Sequence, residues 1–292
     1  MEGAQNDLET SMSARILAIG EILWDLLPSG KQLGGAPANF AYHAHALGAR
    51  ARLISRVGND PLGHEILDRL RSLGLPTDGV GVDPAAPTGT VSVEVMSDGQ
   101  PKFIIHEDVA WDRLEPVAEV EADAICFGSL GQRCPAARRA IRDVVAAMPD
   151  AALRVFDINL RQSFYSREII QSSLELASAL KLNDAELPVL AAMFGLTGDT
   201  RNQLSALSER FALRAAALTR GAAGSLLLAD GIWSEHPGIR VKVVDAVGAG
   251  DAFTAAWTLG LLAGHALDAI NQRANEVAAF VCTQPGATPD YG

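Results

Sequence analysis

Short apolar runs alternate with amphipathic helical patterns along most of this chain, and this alternation limits the folds available to it. Several runs are apolar at consecutive positions, which is typical of strands covered on both faces. The predicted strands are Arg15–Gly20, Ala51–Val57, Ala124–Phe127, Leu153–Asp157, Ala215–Thr219 and Ser225–Ala229. Helical patterns at Pro61–Leu73 and Ser166–Leu180 each place apolar side chains on one face. The alternation predicts an α/β domain in three layers, with a mainly parallel central sheet between helices.

One segment does not follow this alternation of strand and helix patterns. Residues Thr90–Met96 alternate with a period of two, residues 97–100 have turn composition, and Lys102–Ile105 is typical of a return strand. The pattern predicts a half-exposed β-hairpin inserted in the α/β chain. Such an insertion is either a lid over a site or a passive decoration, and the residues alone favour neither.

Composition excludes several classes of protein. The chain has 292 residues, which suits one large α/β domain or two small ones, and its 48% of hydrophobic residues supports a sizeable core. Without a repeat or a Pro/Gly-rich linker, a single domain fits better than two. Its net charge of −11 argues against a nucleic-acid partner. No charge-free apolar run reaches the roughly 18 residues of a membrane span. The three cysteines include no CxxC pair, which is typical of reduced thiols in the cytoplasm. We expect residues 1–13 to be a polar leader and residues 14–292 to form a single domain.

The segment from Asp245 to Asp251 reads Asp-Ala-Val-Gly-Ala-Gly-Asp and opens an apolar helix. Because Gly248, Ala249 and Gly250 carry almost no side chain, their amides could approach an anion at the positive end of the helix dipole. Asp251 would then lie in the first turn, where a carboxylate could accept the proton of an attacking hydroxyl. The alternative is an ordinary acidic residue favoured by the dipole.

A second glycine-rich segment begins at Gly34 and Gly35 and continues Ala-Pro-Ala-Asn39. The amide of Asn39 offers both a donor and an acceptor, as recognition of a polyol requires, although Asn39 could equally be a helix cap. Upstream, Asp25 follows the first predicted strand, where a carboxylate could contact a sugar hydroxyl or simply lie exposed in a turn.

Together these motifs resemble the signatures of the ribokinase/PfkB family of carbohydrate kinases. Residues 34–58 resemble the N-terminal signature, and residues 245–256 resemble the C-terminal signature with one departure, Ala246, where a hydroxyl residue, proline or valine is usual. The resemblance extends from about Arg15 to Pro289. It implies a ribokinase-like fold, a cytoplasmic enzyme that uses ATP and Mg²⁺, and a small β lid at about residues 22–34 and 86–109. A homodimer through the lid edges is a further expectation.

The resemblance also implies roles for individual residues. Asp251 is the expected catalytic base, and the Gly248–Gly250 amides are the expected anion hole. The expected sugar contacts are Asp25, Gly34, Gly35 and Asn39. The expected nucleotide contacts are Asn183, Thr219, Gly221, Gly224 and Asn275.

The resemblance also implies binding sites for two metal ions. Asn183 and Glu186 resemble the Asn-x-x-Glu motif of the family, in which Glu186 holds Mg²⁺ through water, although the same two residues could form a helix capping box. Asp245 and Gly286 lie where members of the family hold a monovalent cation such as K⁺.

The segment Asp157-Ile-Asn159-Leu-Arg161 ends a predicted strand. On an extended backbone its first, third and fifth side chains face one way, so all three could line a cleft. The segment resembles the Asp-x-Asn-x-Arg element of fructokinase-like and ketodeoxygluconate kinase-like members, which makes Arg161 a candidate phosphate or substrate contact. A surface ion pair between Asp157 and Arg161 is the alternative.

The order Gly-Gly-Ala-Pro-Ala-Asn resembles fructokinases more than ribokinases, so fructose or a similar neutral hexose is the expected acceptor. Alternatives of the same family are 2-keto-3-deoxygluconate, for which the hairpin offers Lys102 and His106 but no tyrosine, and a nucleoside. A catalytically silent sugar or nucleotide sensor is the alternative outside kinase chemistry. A dinucleotide-dependent oxidoreductase is disfavoured because no GxGxxG loop follows the first strand.

Overall fold

The computed structural model describes residues 13–28, 30–95, 101–117 and 121–292. The strands are β1 Arg15–Ile19, β2 Leu23–Leu27, β3 Gly30–Gly34, β4 Arg50–Gly58, β5 Val80–Asp83, β6 Thr90–Val95, β7 Pro101–Ile105, β8 Ala124–Gly128, β9 Leu153–Asp157, β10 Ala179–Asn183, β11 Ala215–Thr219, β12 Ser225–Ala229 and β13 Ile232–His236. The helices are α1 Ala36–Ala46, α2 Pro61–Ser72, α3 Pro135–Ala146, α4 Arg167–Leu176, α5 Glu186–Phe194, α6 Thr200–Arg210, α7 Ala249–Leu262 and α8 Leu267–Cys282.

The main sheet has nine strands in the order β13-β12-β11-β10-β9-β8-β1-β4-β5. The run from β11 to β5 is parallel, and β12 and β13 are added antiparallel at one edge. The three-layer α/β fold with a mainly parallel sheet that the sequence predicted is therefore confirmed.

Apolar residues pack on both faces of this sheet. Within β1, Ile16 and Ala18 belong to a core with Phe40 of α1 and Trp257 of α7. The alternate residues of β1, Leu17 and Ile19, face a second core with the helices α3 to α6. The period-two alternation of strand side chains thus explains why a continuous apolar run is required here.

The small sheet has four strands in the order β3-β2-β6-β7. It contains the predicted hairpin, because β6 and β7 pair antiparallel with Val91 opposite Ile105. The predicted turn at residues 97–100 lies outside the described residues. Leu23, Val91 and Ile105 pack with Trp111 and Leu130 of the main domain, so the small sheet is anchored at its base. Its action as a lid stays a prediction.

The predicted helix over Ser166–Leu180 was too long. Ser166 caps α4 by accepting a hydrogen bond from the Ile169 amide, but the helix ends at Leu176 and Ala177 is extended. Residues 179–183 form β10 between β9 and β11. The apolar spacing of the helix continues by coincidence into the strand, and pairing on both sides of β10 overrides that local pattern.

In the part of the chain that the structure describes, no helix has the length and apolar character that a membrane span would require.

Candidate active site

Loops and side chains with chemical function gather where the parallel strands reach their carboxyl ends. In open α/β sheets this edge is where ligands bind. The strands β1, β9, β10 and β11 end there and are followed by residues 20–21, 158–161, 184–186 and 220–224, and the N-terminus of α7 joins them. The small sheet supplies Asp25 from β2.

Asp251 lies in the first turn of α7 and is partly buried. Asn39, buried in α1, donates a hydrogen bond of 2.8 Å from Nδ2 to Asp251 Oδ2. Burial raises the pKa of Asp251 to about 6, the negative charge of Asp157 adds to the rise, and the bond from Asn39 opposes it. A carboxyl with this pKa is mainly ionised at neutral pH and is suited to accept a proton.

The turn before Asp251 has the geometry of an anion site. Gly248 caps α7 at a φ of +80°, a conformation that favours glycine, and a side chain there would collide with the backbone of Ala287. The hydrogen bond from Ala252 N to Gly248 O is 2.8 Å, so Ala249, Gly250 and Asp251 supply the first-turn amides. The Ala249 amide makes a long bond of 3.3 Å to Ala246 O, which leaves Gly250 and Asp251 as the better donors to an anion.

The predicted sugar contacts come from β2, the end of β3 and the start of α1. Gly34 is opposite Leu23 in the β2–β3 pair, and the Asp25 carboxylate fills the space that a side chain at Gly34 would occupy. Gly35, at a φ of +104°, caps α1 and passes close to the backbone of Glu21. Burial raises the pKa of Asp25 to about 6, against the opposing positive charge of Arg161.

The segment from Asp157 to Arg161 is not extended as predicted. Asn159 has a φ of +45°, so the side chains of residues 157, 159 and 161 do not share one face. Asp157 points into the protein, and Arg161 is exposed. The alternative of a surface ion pair between these two residues is also wrong, because Asp157 pairs with Lys181. Arg161 nevertheless lowers the pKa of Asp25, Glu21 and Asp251, so its charge reaches the site.

Lys181 and Thr254 are site residues that the sequence reasoning missed. Lys181 Nζ lies 3.1 Å from Asp157 Oδ1, and Thr254 Oγ1 donates to Asp157 Oδ2 at 2.9 Å. Both residues are buried. The available signal was a lysine in the middle of the apolar run Ala-Leu-Lys-Leu-Asn, where a charge needs a partner.

Glu21 was missed as well. It follows β1 after Gly20, only 2% of it is exposed, and its Oε2 has no hydrogen-bond partner among the described residues. Burial raises the pKa of Glu21 to about 7, and the charge of Asp251 contributes to the rise. A glutamate directly after a buried strand and a glycine was the signal for this residue.

A cavity of about 720 Å³ opens beside the N-terminus of α7. Ala249 and Gly250 line it, together with residues of the segment 239–243 and of helix α8. The structure brings all of the predicted nucleotide contacts to the wall of this cavity: Asn183, Thr219, Gly221, Gly224 and Asn275. The amide of Asn275 is already engaged with Ser225 Oγ at 2.7 Å and with Asn271, so it shapes the wall more than it offers a free donor.

Asn183 and Glu186 form the capping box that was one alternative. Asn183 Oδ1 accepts from the Glu186 amide at 2.9 Å, and Glu186 Oε2 accepts from the Asn183 amide at 2.8 Å. Glu186 Oε1 accepts from the Leu160 amide at 2.8 Å. Each carboxylate oxygen keeps one lone pair, enough to hold a hydrated ion through water. Within the described ranges, no three His, Cys, Asp or Glu side chains cluster as a metal site.

Asp245 and Gly286, the expected cation residues, are in contact. The Gly286 amide donates to Asp245 Oδ2 at 3.1 Å, and the Val247 amide donates to Asp245 Oδ1 at 3.0 Å. The bond ties the C-terminal segment to the turn that begins α7. The amides take one lone pair on each oxygen, so the carboxylate retains capacity toward a monovalent cation.

An ionisable carboxylate, an amide cradle at a helix N-terminus and an adjoining cavity of nucleotide size define this fold and site as those of an α/β phosphotransferase. The family profile described as pfkB family carbohydrate kinase matches residues 29–291. The chain belongs to this family of carbohydrate kinases.

Particular relatives share most of their length with this chain. A fructokinase from Klebsiella pneumoniae is 31% identical over 89% of this chain and 87% of its own length. The crystal structure of a sugar kinase from Pyrococcus horikoshii in complex with ATP is 29% identical, with a TM-score of 0.79 and 94% of each chain covered. A double-mutant fructokinase from Vibrio cholerae, bound to fructose, ADP and potassium ion, is 25% identical, with a TM-score of 0.80 and coverage of 95% of this chain and 94% of its own.

Proposed function

We propose that this carbohydrate kinase transfers the γ-phosphoryl group of ATP to a hydroxyl of fructose or a similar neutral hexose. The observation that carries the proposal is the position of Asp251. Its carboxylate contacts Asn39 on the predicted sugar side, and its helix presents first-turn amides toward the large cavity. A base placed between an acceptor site and an anion site is what in-line phosphoryl transfer requires.

The charges of the acceptor site favour a neutral sugar. Asp25, Glu21 and Asp251 place three carboxyl groups around it. Burial raises the pKa of each carboxyl, the positive charge of Arg161 lowers all three, and Lys181 lowers that of Asp251 as well. Carboxylates accept hydrogen bonds from sugar hydroxyls and repel an acidic substrate such as 2-keto-3-deoxygluconate. The fructokinases among the relatives support the same choice.

In this proposal Asp251 takes the proton of the attacking hydroxyl, while Asp25, Gly34, Gly35 and Asn39 orient the sugar. The amides of Gly248–Gly250 and the guanidinium of Arg161 stabilise the negative charge on the transferring group. Glu186 would hold Mg²⁺ through water, and the ion would neutralise charge on the phosphates. Asp245 and the segment at Gly286 would hold K⁺.

A panel of acceptors tests the substrate. Fructose, other neutral hexoses, ribose, 2-keto-3-deoxygluconate and adenosine are each offered with ATP and Mg²⁺, and ADP release is measured. We expect fructose or another neutral hexose to give a kcat/KM at least tenfold above the other classes. A preference for the acid or the nucleoside would contradict the proposed substrate. ATP binding without turnover of any acceptor would favour the sensor.

Two further expectations stay predictions. One is a cytoplasmic location. The other is a homodimer through the edges of the small sheet, where β3 and β7 are the outer strands. Sedimentation of the protein with and without substitutions in these two strands would test the dimer.

A further inference from the structure

The mechanism proposed above does not use the buried ion pair of Lys181 and Asp157. The two residues are opposite each other in the β9–β10 pair, so their side chains leave the sheet on the same face. Lys181 is 6% exposed and Asp157 is 4% exposed. Both oxygens of Asp157 are engaged, one with the ammonium of Lys181 at 3.1 Å and the other with the hydroxyl of Thr254 at 2.9 Å.

This pair is fixed directly to the anion site. Thr254 Oγ1 also contacts Gly250 O at 2.8 Å, one turn earlier in α7. A side-chain carbon built on Gly250 would lie only 3.2 Å from Lys181 Nζ. The absence of a side chain at Gly250 therefore lets the ammonium of Lys181 approach the first turn of α7, whose amides already favour an anion.

Stability alone gives a weak reason for keeping such a pair. Removing two charges from water is costly, and a buried ion pair is often no more stabilising than apolar residues of the same volume. A functional reason is stronger here, because charged groups converge on Lys181 from several elements. Asp157 of β9, Glu186 of α5 and Asp251 of α7 all raise its pKa, against the lowering caused by burial. Burial raises the pKa of Cys126 in β8, and the charges of Asp157, Asp251 and Lys181 act on this thiol as well.

We infer that Lys181 is a positioning residue for phosphoryl transfer: its ammonium, held by Asp157 behind Gly250, offsets the negative charge of the transferring group at the first turn of α7. The inference rests on the proposed function. The charge of Lys181 also reaches Asp251. Lys181 and Arg161 lower the pKa of this carboxyl, while burial and Asp157 raise it, and Glu21 is coupled to it from the loop after β1.

Neutralising the pair in two steps separates a charge effect from a structural effect. Lys181→Met leaves Asp157 buried without its partner, so we expect a loss of stability together with a loss of kcat. In the double variant Lys181→Met/Asp157→Asn no buried charge is left unpaired, and the amide keeps an acceptor for Thr254. We expect the melting temperature to recover toward that of the wild type, while kcat stays at least tenfold below it and KM for the sugar changes less than twofold.

A matched control is the ion pair of Arg56 and Asp83, which joins β4 and β5 away from the site. The variant Arg56→Met/Asp83→Asn removes the same two charges and is expected to keep kcat within twofold of the wild type. The pH dependence of kcat/KM gives a second measurement. Lys181→Met should move the fall of kcat/KM at low pH to a higher pH, whereas the loss of a purely structural pair would not change it.

Recovery of both stability and kcat in the double Lys181 variant would overturn the inference. If the wild type turns over no sugar, the proposed function fails, but the role of Lys181 is still measurable by calorimetry with ATP. The double variant should then bind ATP at least fivefold more weakly than the wild type, and equal affinity would overturn the inference by that route as well.

Discussion

Asn39 Nδ2 donates a hydrogen bond of 2.8 Å to Asp251 Oδ2 and so joins two residues that are 212 positions apart. Each lies near the start of a helix preceded by glycines, α1 in one case and α7 in the other. The helices pack against each other on one face of the sheet. The contact brings the two glycine-rich motifs together, and in the proposed mechanism the Asn39 amide orients the Asp251 carboxylate.

Asp251→Asn is predicted to reduce kcat by roughly a hundredfold to ten-thousandfold, the usual contribution of a general base. The amide has the shape of the carboxylate but cannot accept the proton. ATP affinity, measured by calorimetry, should stay within about threefold of the wild type. Turnover close to that of the wild type would remove Asp251 from the role of base.

Asn39→Ala is predicted to change the pH dependence of the reaction. With the pKa of Asp251 at about 6, the wild-type kcat/KM should fall as the pH decreases through about 6, because the protonated carboxyl is not a base. The bond from Asn39 opposes the rise of this pKa, so its removal should move the acid limb to higher pH. At pH 8 the loss in kcat/KM should be roughly tenfold or more, as for a hydrogen bond to a charged group. An unmoved limb would mean that Asn39 does not act on Asp251.

Glu21→Gln is predicted to stabilise the protein at pH 8 and to have little effect at pH 5. The folded-state pKa of Glu21 is about 7, above the roughly 4.3 of an unfolded chain. The folded state therefore binds the proton more tightly, and this stabilising contribution is lost as the pH rises through about 7. Glutamine avoids the buried charge, so the melting temperature should rise by a few degrees at pH 8. The exposed substitution Glu107→Gln is the control, and an equal gain at both pH values would contradict the stated cause.

The buried strands could be predicted from the sequence because burial on both faces leaves a plain apolar signal. Leu153–Asp157, Ala215–Thr219 and Ser225–Ala229 have the predicted bounds. β10 could not be separated from the preceding helix, because its apolar spacing also fits a helical period. Its central Lys181 made a buried strand less apparent, and the ion partner that permits this lysine lies on another strand.

The candidate site was predictable where glycines and a charged residue lie close together in the sequence. The motifs around Asn39 and Asp251 indicated the two sides of the cleft, but the sequence could not show that these side chains touch. An extended backbone was predicted from Asp157 to Arg161, but the left-handed conformation of Asn159 turns the chain before it reaches Arg161. An asparagine adopts this conformation more readily than most residues, but which asparagine does so depends on tertiary contacts.

The small sheet gives the last prediction, because few polar bonds hold its outer hairpin to the main domain among the residues that the structure describes. Gln162 Nε2 donates to Phe103 O at 2.7 Å, and Arg133 Nη2 donates to His106 O at 2.6 Å. Phe103 itself is 51% exposed, whereas Val91 and Ile105 at the base are buried. This division predicts an anchored base and an outer part that is free to close over a sugar and exclude water from the transferable phosphoryl group.

Replacing residues 93–103 by Asn-Gly joins Ser92 to Ile104, which are opposite each other in the β6–β7 pair, and keeps the buried base. The variant should fold with a melting temperature near that of the wild type. KM for the sugar should rise at least fivefold, and ATP hydrolysis without sugar should increase relative to sugar phosphorylation. In the wild type, hydrogen exchange of the β6 and β7 amides should slow when sugar is added. Equal exchange with and without sugar, together with unchanged kinetics of the shortened hairpin, would show that the small sheet is not a lid.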